Sequence, residues 1–307
     1  MQPDSPSSIL EFQQRFATEE ACEAYLFAWR WPHGFACPRC DGRTFARLSR
    51  RSLYQCGRCH HQASVTAGTA LHKSKLPLRV WFWAIFLVAR DKKGISALQL
   101  QRELGLGSYR SAWLLLQKIR RCFGESEAYP LRGFVEVDET YVGGVERGAQ
   151  NGRGRGRKKS LVVAAVEVTP KGLGALRLRA IPSPTRHELL SFVGKSVQTG
   201  STVATDGWNG YYYLDLLGFR RKVHVEKYGL PPSALRGVHL VISNLKTWLQ
   251  GRYHGSVRPK YLPAYLDEFA YRFNRRFSPP RIFGWVARRL ATRLPRTLRE
   301  IQAEIAA

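Results

Sequence analysis

Four cysteines with the spacing of a metal site are the first residues in this sequence that could do chemistry. They form two C-x2-C pairs, Cys37–Cys40 and Cys56–Cys59, separated by fifteen residues. Two such turns can place four thiolates around one tetrahedral zinc ion, and four sulfur ligands leave no open position for catalysis. The spacing therefore predicts a ribbon with one structural zinc, in which the alternating stretch between the pairs forms a hairpin. We expect His60 and His61, which follow the last cysteine, to be solvated.

Two carboxylates far apart in the sequence form a second candidate site. Asp138 is expected to end the first strand, which the alternating stretch FVEVDETYVG predicts, and Asp206 to end the strand STVATD, 68 residues later. Carboxylates at neighbouring strand ends can bind Mg²⁺ or Mn²⁺, and two such ions can support phosphoryl transfer. Judged from spacing alone, a lone aspartate at a strand end is more often a turn or cap residue than a metal ligand. Strand alternation places Glu136 on the same side as Asp138, and Glu139 on the opposite side.

The elements before Asp138 are predicted to be helical. Residues 76–90 are almost all apolar and suggest a buried helix, which Pro77 would begin. Two short helices then follow, joined by a turn at Gly105–Gly107, with Ser108 as the cap of the second. The pair fits a helix-turn-helix, or else an ordinary helical hairpin.

From residue 133 onward the pattern changes to strands. Three strands in succession are followed by a helix, a fourth strand and a second helix, which predicts a mixed sheet packed by helices. Trp208 and Tyr211 follow the fourth strand, and we expect both to be core aromatics rather than surfaces that stack on bases.

The charge of the chain indicates a polyanionic partner. There are 49 basic and 23 acidic residues, a net charge of +26, which favours nucleic acid. No apolar run is long enough to span a bilayer and no export signal is evident, so the sequence predicts a cytoplasmic protein with no membrane partner. The residues predicted to contact DNA lie in the ribbon, the second short helix, a glycine-rich loop and the basic C-terminal part: Arg39, Arg43, Arg50, Arg51, Tyr109, Arg110, Arg153, Arg155, Arg157, Lys158, Lys159, Arg275 and Arg276.

Several motifs occur together in one order: CPRC…CGRC, VEVDETYVGG, TDGWNGY, SNLKTWLQGRYHG and KYLPAYLDEFAYRFNRR. This set resembles the insertion-sequence DDE-type transposases that carry an N-terminal zinc ribbon. The resemblance implies a ribonuclease H-like catalytic core, two catalytic Mg²⁺ or Mn²⁺ ions, and strand cleavage followed by strand transfer. It places the first two acidic ligands at Asp138 and Asp206, and it implies a homodimer or larger assembly on DNA.

The third acidic position of that family is different here. The motif places a glutamate seven residues before a lysine, and in this chain these positions are His239 and Lys246. Some members of this branch of the family resemble one another in having asparagine, rather than glutamate, at the third acidic position. Seven residues are close to two helical turns, so His239 and Lys246 should share a helix face, whereas Asn244 lies about 140° away. We expect His239 to be the third ligand, with Asn244 as the alternative, and Lys246 to contact a phosphate.

The sequence therefore predicts a multi-domain protein with a zinc ribbon, a helix-turn-helix segment and an α/β ribonuclease H-like core. Its expected segments are an N-terminal helical part (1–35), the ribbon (36–66), the helix-turn-helix region (67–128), the catalytic domain (129–275) and a basic C-terminal segment (276–307). The predicted function is a prokaryotic, nucleoid-associated DNA transposase that acts on the terminal inverted repeats of its own element and on target DNA. The alternatives are a catalytically retired DNA-binding descendant, a zinc-ribbon regulator and a plain nuclease.

Overall fold

A computed structural model of the chain describes residues 5–91, 93–124, 129–143, 159–224, 235–253, 257–277 and 281–303. The helices are α1 (Ile9–Arg15), α2 (Glu19–Arg30), α3 (Leu78–Arg90), α4 (Ala97–Glu103), α5 (Tyr109–Arg121), α6 (Arg186–Ser196), α7 (Arg236–Tyr253), α8 (Leu262–Asn274), α9 (Arg281–Thr292) and α10 (Leu298–Ala303). The strands are β1 (Phe45–Leu48), β2 (Leu53–Cys56), β3 (Gln62–Ala63), β4 (Phe134–Val142), β5 (Ser160–Thr169), β6 (Gly172–Ile181), β7 (Thr202–Thr205) and β8 (Arg220–Val223).

The described residues form two compact units. The first contains the described parts of residues 1–122 and 277–307, and the second those of 123–276. The basic C-terminal residues from 277 onward therefore belong to the same unit as the ribbon and the helices that follow it.

An aromatic cluster holds the helices of the first unit together. Phe12, Phe16, Phe82 and Phe283 are almost fully buried, and the Phe283 ring lies 5.4 Å from that of Phe16 and 5.7 Å from that of Phe82. Burial of each such ring contributes roughly 1.5–3 kcal/mol. Helix α9 thus has a basic outer side and an apolar side that forms part of this core.

The predicted pair of short helices is present. Helices α4 and α5 are joined by a turn in which Gly105 has φ +59°, a conformation that favours glycine. The Ser108 hydroxyl accepts a hydrogen bond from the Ser111 N–H at 3.1 Å, as a cap of α5 should. Leu100, Leu115 and Leu116 are buried. This packing is common to DNA-reading motifs and to ordinary helical hairpins.

The second unit is a mixed α/β domain, as the sequence predicted. Its five strands lie in the order β6-β5-β4-β7-β8; β6, β5 and β4 are antiparallel, while β4, β7 and β8 are parallel. Helices α7 and α8 bury one face of the sheet, and α6 buries the other. The edge strand β8 was missed by the sequence analysis because its residues RRKV carry three charges and little apolar pattern.

Candidate functional site

Four cysteine sulfurs converge in the ribbon, where β1 and β2 form the predicted hairpin and β3 adds a third strand. The Sγ atoms of Cys37 and Cys59 are 3.6 Å apart, as are those of Cys40 and Cys56, and all four lie within 4.8 Å of one another. Ligands at 2.3 Å from a tetrahedral zinc stand about 3.8 Å apart. The arrangement fits one zinc ion with four sulfur ligands.

Local backbone conformation shapes the two cysteine turns. The residues that follow each pair, Asp41 and His60, have φ of 57° and 55°, the left-handed conformation that reverses the chain. The Arg58 N–H donates to Cys56 Sγ at 3.3 Å. The backbone N–H of Cys59 is the main cause that lowers the pKa of the Cys56 thiol to about 7, which favours the thiolate that binds metal. His60 is exposed, as expected of a solvated residue.

The sheet brings the two predicted carboxylates together. Strands β4 and β7 are parallel neighbours in which Glu136 pairs with Ala204. Continuing this register by two residues places Asp138 beside Asp206, on strands about 4.8 Å apart. The expectation that Asp138 ends its strand was wrong: β4 continues to Val142 because β5 pairs with it along its whole length. Asp206 directly follows β7.

His239 lies against the first of these carboxylates. Its Nε2 is 3.2 Å from Asp138 Oδ2, and its side chain is 46% exposed while that of Asp138 is 20% exposed. His239 belongs to the first turn of α7, whose apolar side, including Val238, Val241 and Leu245, is buried against the sheet.

A second contact fixes the start of α7 on the sheet. The buried side chain of Glu136 accepts a hydrogen bond through Oε2 from the Val238 N–H at 2.9 Å. A carboxylate at this position also interacts favourably with the helix dipole. A Cβ at Gly237 would lie 2.8 Å from Leu173 Cδ2 and 3.0 Å from Glu136 Oε2, so a larger residue there would force these side chains, or the start of α7, to move.

Burial raises the pKa values of two acidic side chains of β4, Asp138 and Glu139. Burial is the main cause that raises the pKa of Asp138; the N–H of Glu139 and the His239 side chain lower it, and Asp206 raises it. Burial likewise raises the pKa of Glu139 to about 7, although the Tyr211 hydroxyl lowers it by donating a hydrogen bond at 2.6 Å. Glu139 therefore contacts Tyr211, while Glu136 contacts α7, on opposite sides of the sheet as alternation predicts. The hydrogen bond between Tyr211 and Glu139 joins residues that are 72 positions apart, so no local sequence pattern could predict it.

Lys246 and Asn244 occupy different faces of α7. Lys246 lies 700° round the helix from His239, or 20° short of two turns, and Asn244 lies about 140° away. Both side chains are exposed.

The residues predicted to contact DNA lie in different surroundings. Arg39, Arg43, Arg50, Arg51, Tyr109 and Arg110 are exposed, and Lys159 is half-buried. Arg276 donates to the carbonyl oxygens of Gly174 and Leu173, and the Arg275 guanidinium lies 3.9 Å from the centre of the Tyr271 ring. Arg153, Arg155, Arg157 and Lys158 lie outside the described residues.

The aromatics after Asp206 divide into a buried and an exposed group. Tyr211 is fully buried, as predicted, but Trp208 is 48% exposed, so its assignment to the core was wrong. Tyr212 and Tyr213 are exposed as well. Trp208, Tyr212 and Tyr213 are not part of the core that β7 and α6 form on this face of the sheet.

Comparison with protein families identifies two domains. Residues 130–274 match the ISXO2-like transposase domain, and residues 17–62 match the transposase zinc-ribbon domain. These matches confirm the resemblance to zinc-ribbon DDE-type insertion-sequence transposases.

One relative and two solved structures are also similar to this chain. An uncharacterized protein in transposable element ISH50 of Halobacterium salinarum is 26% identical over 213 residues, which cover 65% of this chain and 71% of the relative. A pre-cleavage Mos1 transpososome is 11% identical with a TM-score of 0.27, covering 67% of this chain and 77% of that one. The Mos1 strand transfer complex is 12% identical with a TM-score of 0.26, covering 68% and 78%. In the described part of the chain, no helix is both long enough and apolar enough to cross a membrane.

Proposed function

Because this chain carries both domains of a zinc-ribbon insertion-sequence transposase, we propose that it binds the terminal inverted repeats of its own element and catalyses metal-dependent DNA cleavage and strand transfer. It would act in the cytoplasm of a prokaryote, where the chromosome lies. The observation that carries this proposal is the juxtaposition of Asp138, Asp206 and His239. They come from two neighbouring parallel strands and one helix, in the order that the family resemblance implies.

The donor groups at this site suit a divalent ion. Burial, and after it the charge of Asp206, raise the pKa of Asp138, which means that they disfavour its ionised form. A bound cation would stabilise two ionised carboxylates that lie side by side. His239 adds a nitrogen ligand, which suits Mn²⁺ better than Mg²⁺. When bound, two such ions would activate the attacking oxygen and stabilise the leaving oxygen of a phosphodiester.

The roles of the other residues follow from their positions. Lys246, on the His239 side of α7, would neutralise a phosphate close to the bond that is cut. Asn244 is the less favoured third ligand because it lies about 140° round the helix from His239. Glu136 would position His239 by holding the first turn of α7 against β4.

We also propose how the chain binds DNA. The exposed ribbon arginines would contact phosphates, and Tyr109 and Arg110 at the start of α5 would reach base edges as a helix-turn-helix does. The order of three antiparallel strands followed by two parallel ones supports a ribonuclease H-like core. Both ends of an element must be joined, so a dimer or larger assembly on DNA is expected.

A strand-transfer assay tests this function directly. The purified full chain would be mixed with a labelled element-end duplex, a supercoiled target and Mg²⁺ or Mn²⁺. We expect joined product from the wild type, and loss of product in Asp138→Asn, Asp206→Asn and His239→Ala, with Glu188→Gln as the active surface control. Cleavage without joining would indicate a nuclease.

Other outcomes would favour the rival functions. Product that survives in His239→Ala alone would move the third-ligand role to Asn244 or to water. Salt-sensitive repeat binding without cleavage would favour a retired DNA-binding protein, a possibility raised by the histidine that replaces a carboxylate at the third position. Activity that is unaffected by Asp138→Asn would favour a regulator with no metal at this site.

A further inference from the structure

Three exposed aromatic side chains follow Asp206 and form what we term the aromatic platform: Trp208, Tyr212 and Tyr213. They are 48%, 61% and 39% exposed. Aromatic rings that are exposed to water gain no free energy from burial. Exposed apolar groups beside a candidate catalytic residue therefore often mark a surface that binds a ligand or partner. These three residues have no role in the transposase mechanism proposed above.

The Trp208 ring is held in place before any ligand binds. Its Nε1–H donates to the Pro184 carbonyl at 3.3 Å, and its backbone N–H donates to Asp206 Oδ1 at 3.0 Å. A Cβ at Gly210 would lie 2.8 Å from both Cδ1 and Nε1 of the indole, so a side chain at that position would force the ring to shift. A fixed ring loses little conformational freedom on binding.

Cationic groups accompany the two tyrosines. The Arg186 guanidinium lies 4.4 Å from the centre of the Tyr213 ring, and that of Arg221 lies 5.6 Å from the Tyr212 ring. The two tyrosine rings are 5.4 Å apart and nearly perpendicular.

Exposed aromatic rings with guanidinium groups beside them match the chemistry of single-stranded nucleic acid. Bases stack on aromatic rings while phosphates pair with arginine and lysine. In a duplex the base faces are covered by their neighbours, so only an unpaired base offers a face to a ring. An apolar protein partner fits this surface less well because cations surround the rings.

We propose that the aromatic platform stacks unpaired bases next to the phosphodiester that is cut, so that the protein binds a locally opened end rather than a continuous duplex. This inference rests on the proposed function for the position of the cut. The hydrogen bond between Trp208 and Asp206 would then link base stacking to the geometry of the candidate metal site.

A comparison of the affinities for a strand with bases and a strand without bases separates base stacking from the attraction of phosphates to positive charge. The full chain, with zinc retained and no Mg²⁺ or Mn²⁺ added, would be titrated with a labelled thymine 12-mer and with an abasic 12-mer that has the same phosphates. We expect the wild type to prefer the thymine strand, and Trp208→Ala to reduce that preference about 5-fold or more. Trp208→Phe should retain most of it, and Tyr129→Ala, which removes an exposed ring elsewhere in the same unit, should leave it unchanged.

A cleavage experiment gives an independent readout. Trp208→Ala should slow the cutting of a fully paired element end, and mismatches beside the cut should restore the rate because they remove the cost of unpairing. A purely structural role for Trp208 would slow both substrates equally.

The outcomes distinguish this inference from the proposed function. An unchanged thymine preference in Trp208→Ala with an intact fold would overturn stacking, even if the wild type cuts DNA. A loss of preference together with no cleavage by the wild type would support stacking and refute the transposase activity. A change in self-association by Trp208→Ala, with no change in strand preference, would assign the platform to a protein contact and also overturn the inference.

Discussion

Glu136 joins the strand that carries Asp138 to the helix that carries His239, so its replacement tests how the candidate site is assembled. The buried carboxylate accepts the Val238 N–H at 2.9 Å. A hydrogen bond to a charged group contributes about 1.5–3 kcal/mol, and a carboxylate at a helix N-terminus about 0.3–1 kcal/mol. Glu136→Gln keeps an acceptor oxygen but removes the charge, and we expect a loss of about 1–2 kcal/mol. Glu136→Ala also leaves the N–H unpaired, and we expect a loss of about 3 kcal/mol.

Thermal unfolding followed by circular dichroism measures these effects. For a domain of this size 1 kcal/mol corresponds to about 2–4 °C, so Glu136→Gln should melt about 2–8 °C below the wild type. Cleavage should fall more than about tenfold at temperatures where the variant is folded, because a small displacement of a catalytic group is costly.

The control for this experiment is Glu188→Gln, which alters a half-exposed carboxylate in an ion pair of 4.0 Å with Arg179. Because Glu188 lies in the first turn of α6, its replacement should change stability by no more than about 1 kcal/mol. If Glu136→Ala melted and cut DNA like Glu188→Gln, the hydrogen bond to Val238 would not position His239, and the reasoning would be refuted.

Three further predictions follow from the structure. Purified chain should contain one zinc by atomic emission, and Cys56→Ser should contain less and melt at a lower temperature; wild type with no zinc would contradict the ribbon site. Gly237→Ala should lower the free energy of unfolding by about 1 kcal/mol. Its control is Gly194→Ala, where a Cβ meets nothing within 4 Å, and this change should raise the free energy of unfolding by about 0.5–1 kcal/mol. Equal effects of the two substitutions in urea titrations would refute the close approach of α7. Burial raises the pKa of Glu139 from 4.5 to about 7, so its stabilising contribution is present below pH 4.5 and is lost as the pH rises through 7. Without divalent ions, Glu139→Gln should remove up to roughly 3 kcal/mol of that decline, and an unchanged pH profile would contradict it.

The sequence by itself determined the parts of the protein that depend on near neighbours. The two cysteine pairs predict the ribbon because each C-x2-C turn is a local structure, and the hairpin between them is short. Helix α5 and its cap at Ser108 depend on contacts three residues apart. The alternation in β4 assigned Glu136 and Glu139 to opposite sides for the same reason.

Only the tertiary structure decided the surroundings of the carboxylates. Asp138 and Asp206 meet because β4 and β7 are neighbours, and His239 meets Asp138 because α7 buries its apolar side on the same face of the sheet. Pairing with β5 extended β4 beyond Asp138, and Trp208 is not part of the core that β7 and α6 form. These features depend on contacts between residues that are about 20 to 100 positions apart, from the pairing of β4 with β5 to the bond from Val238 to Glu136. Local propensity carries no information about such contacts, because they are set by how whole elements pack.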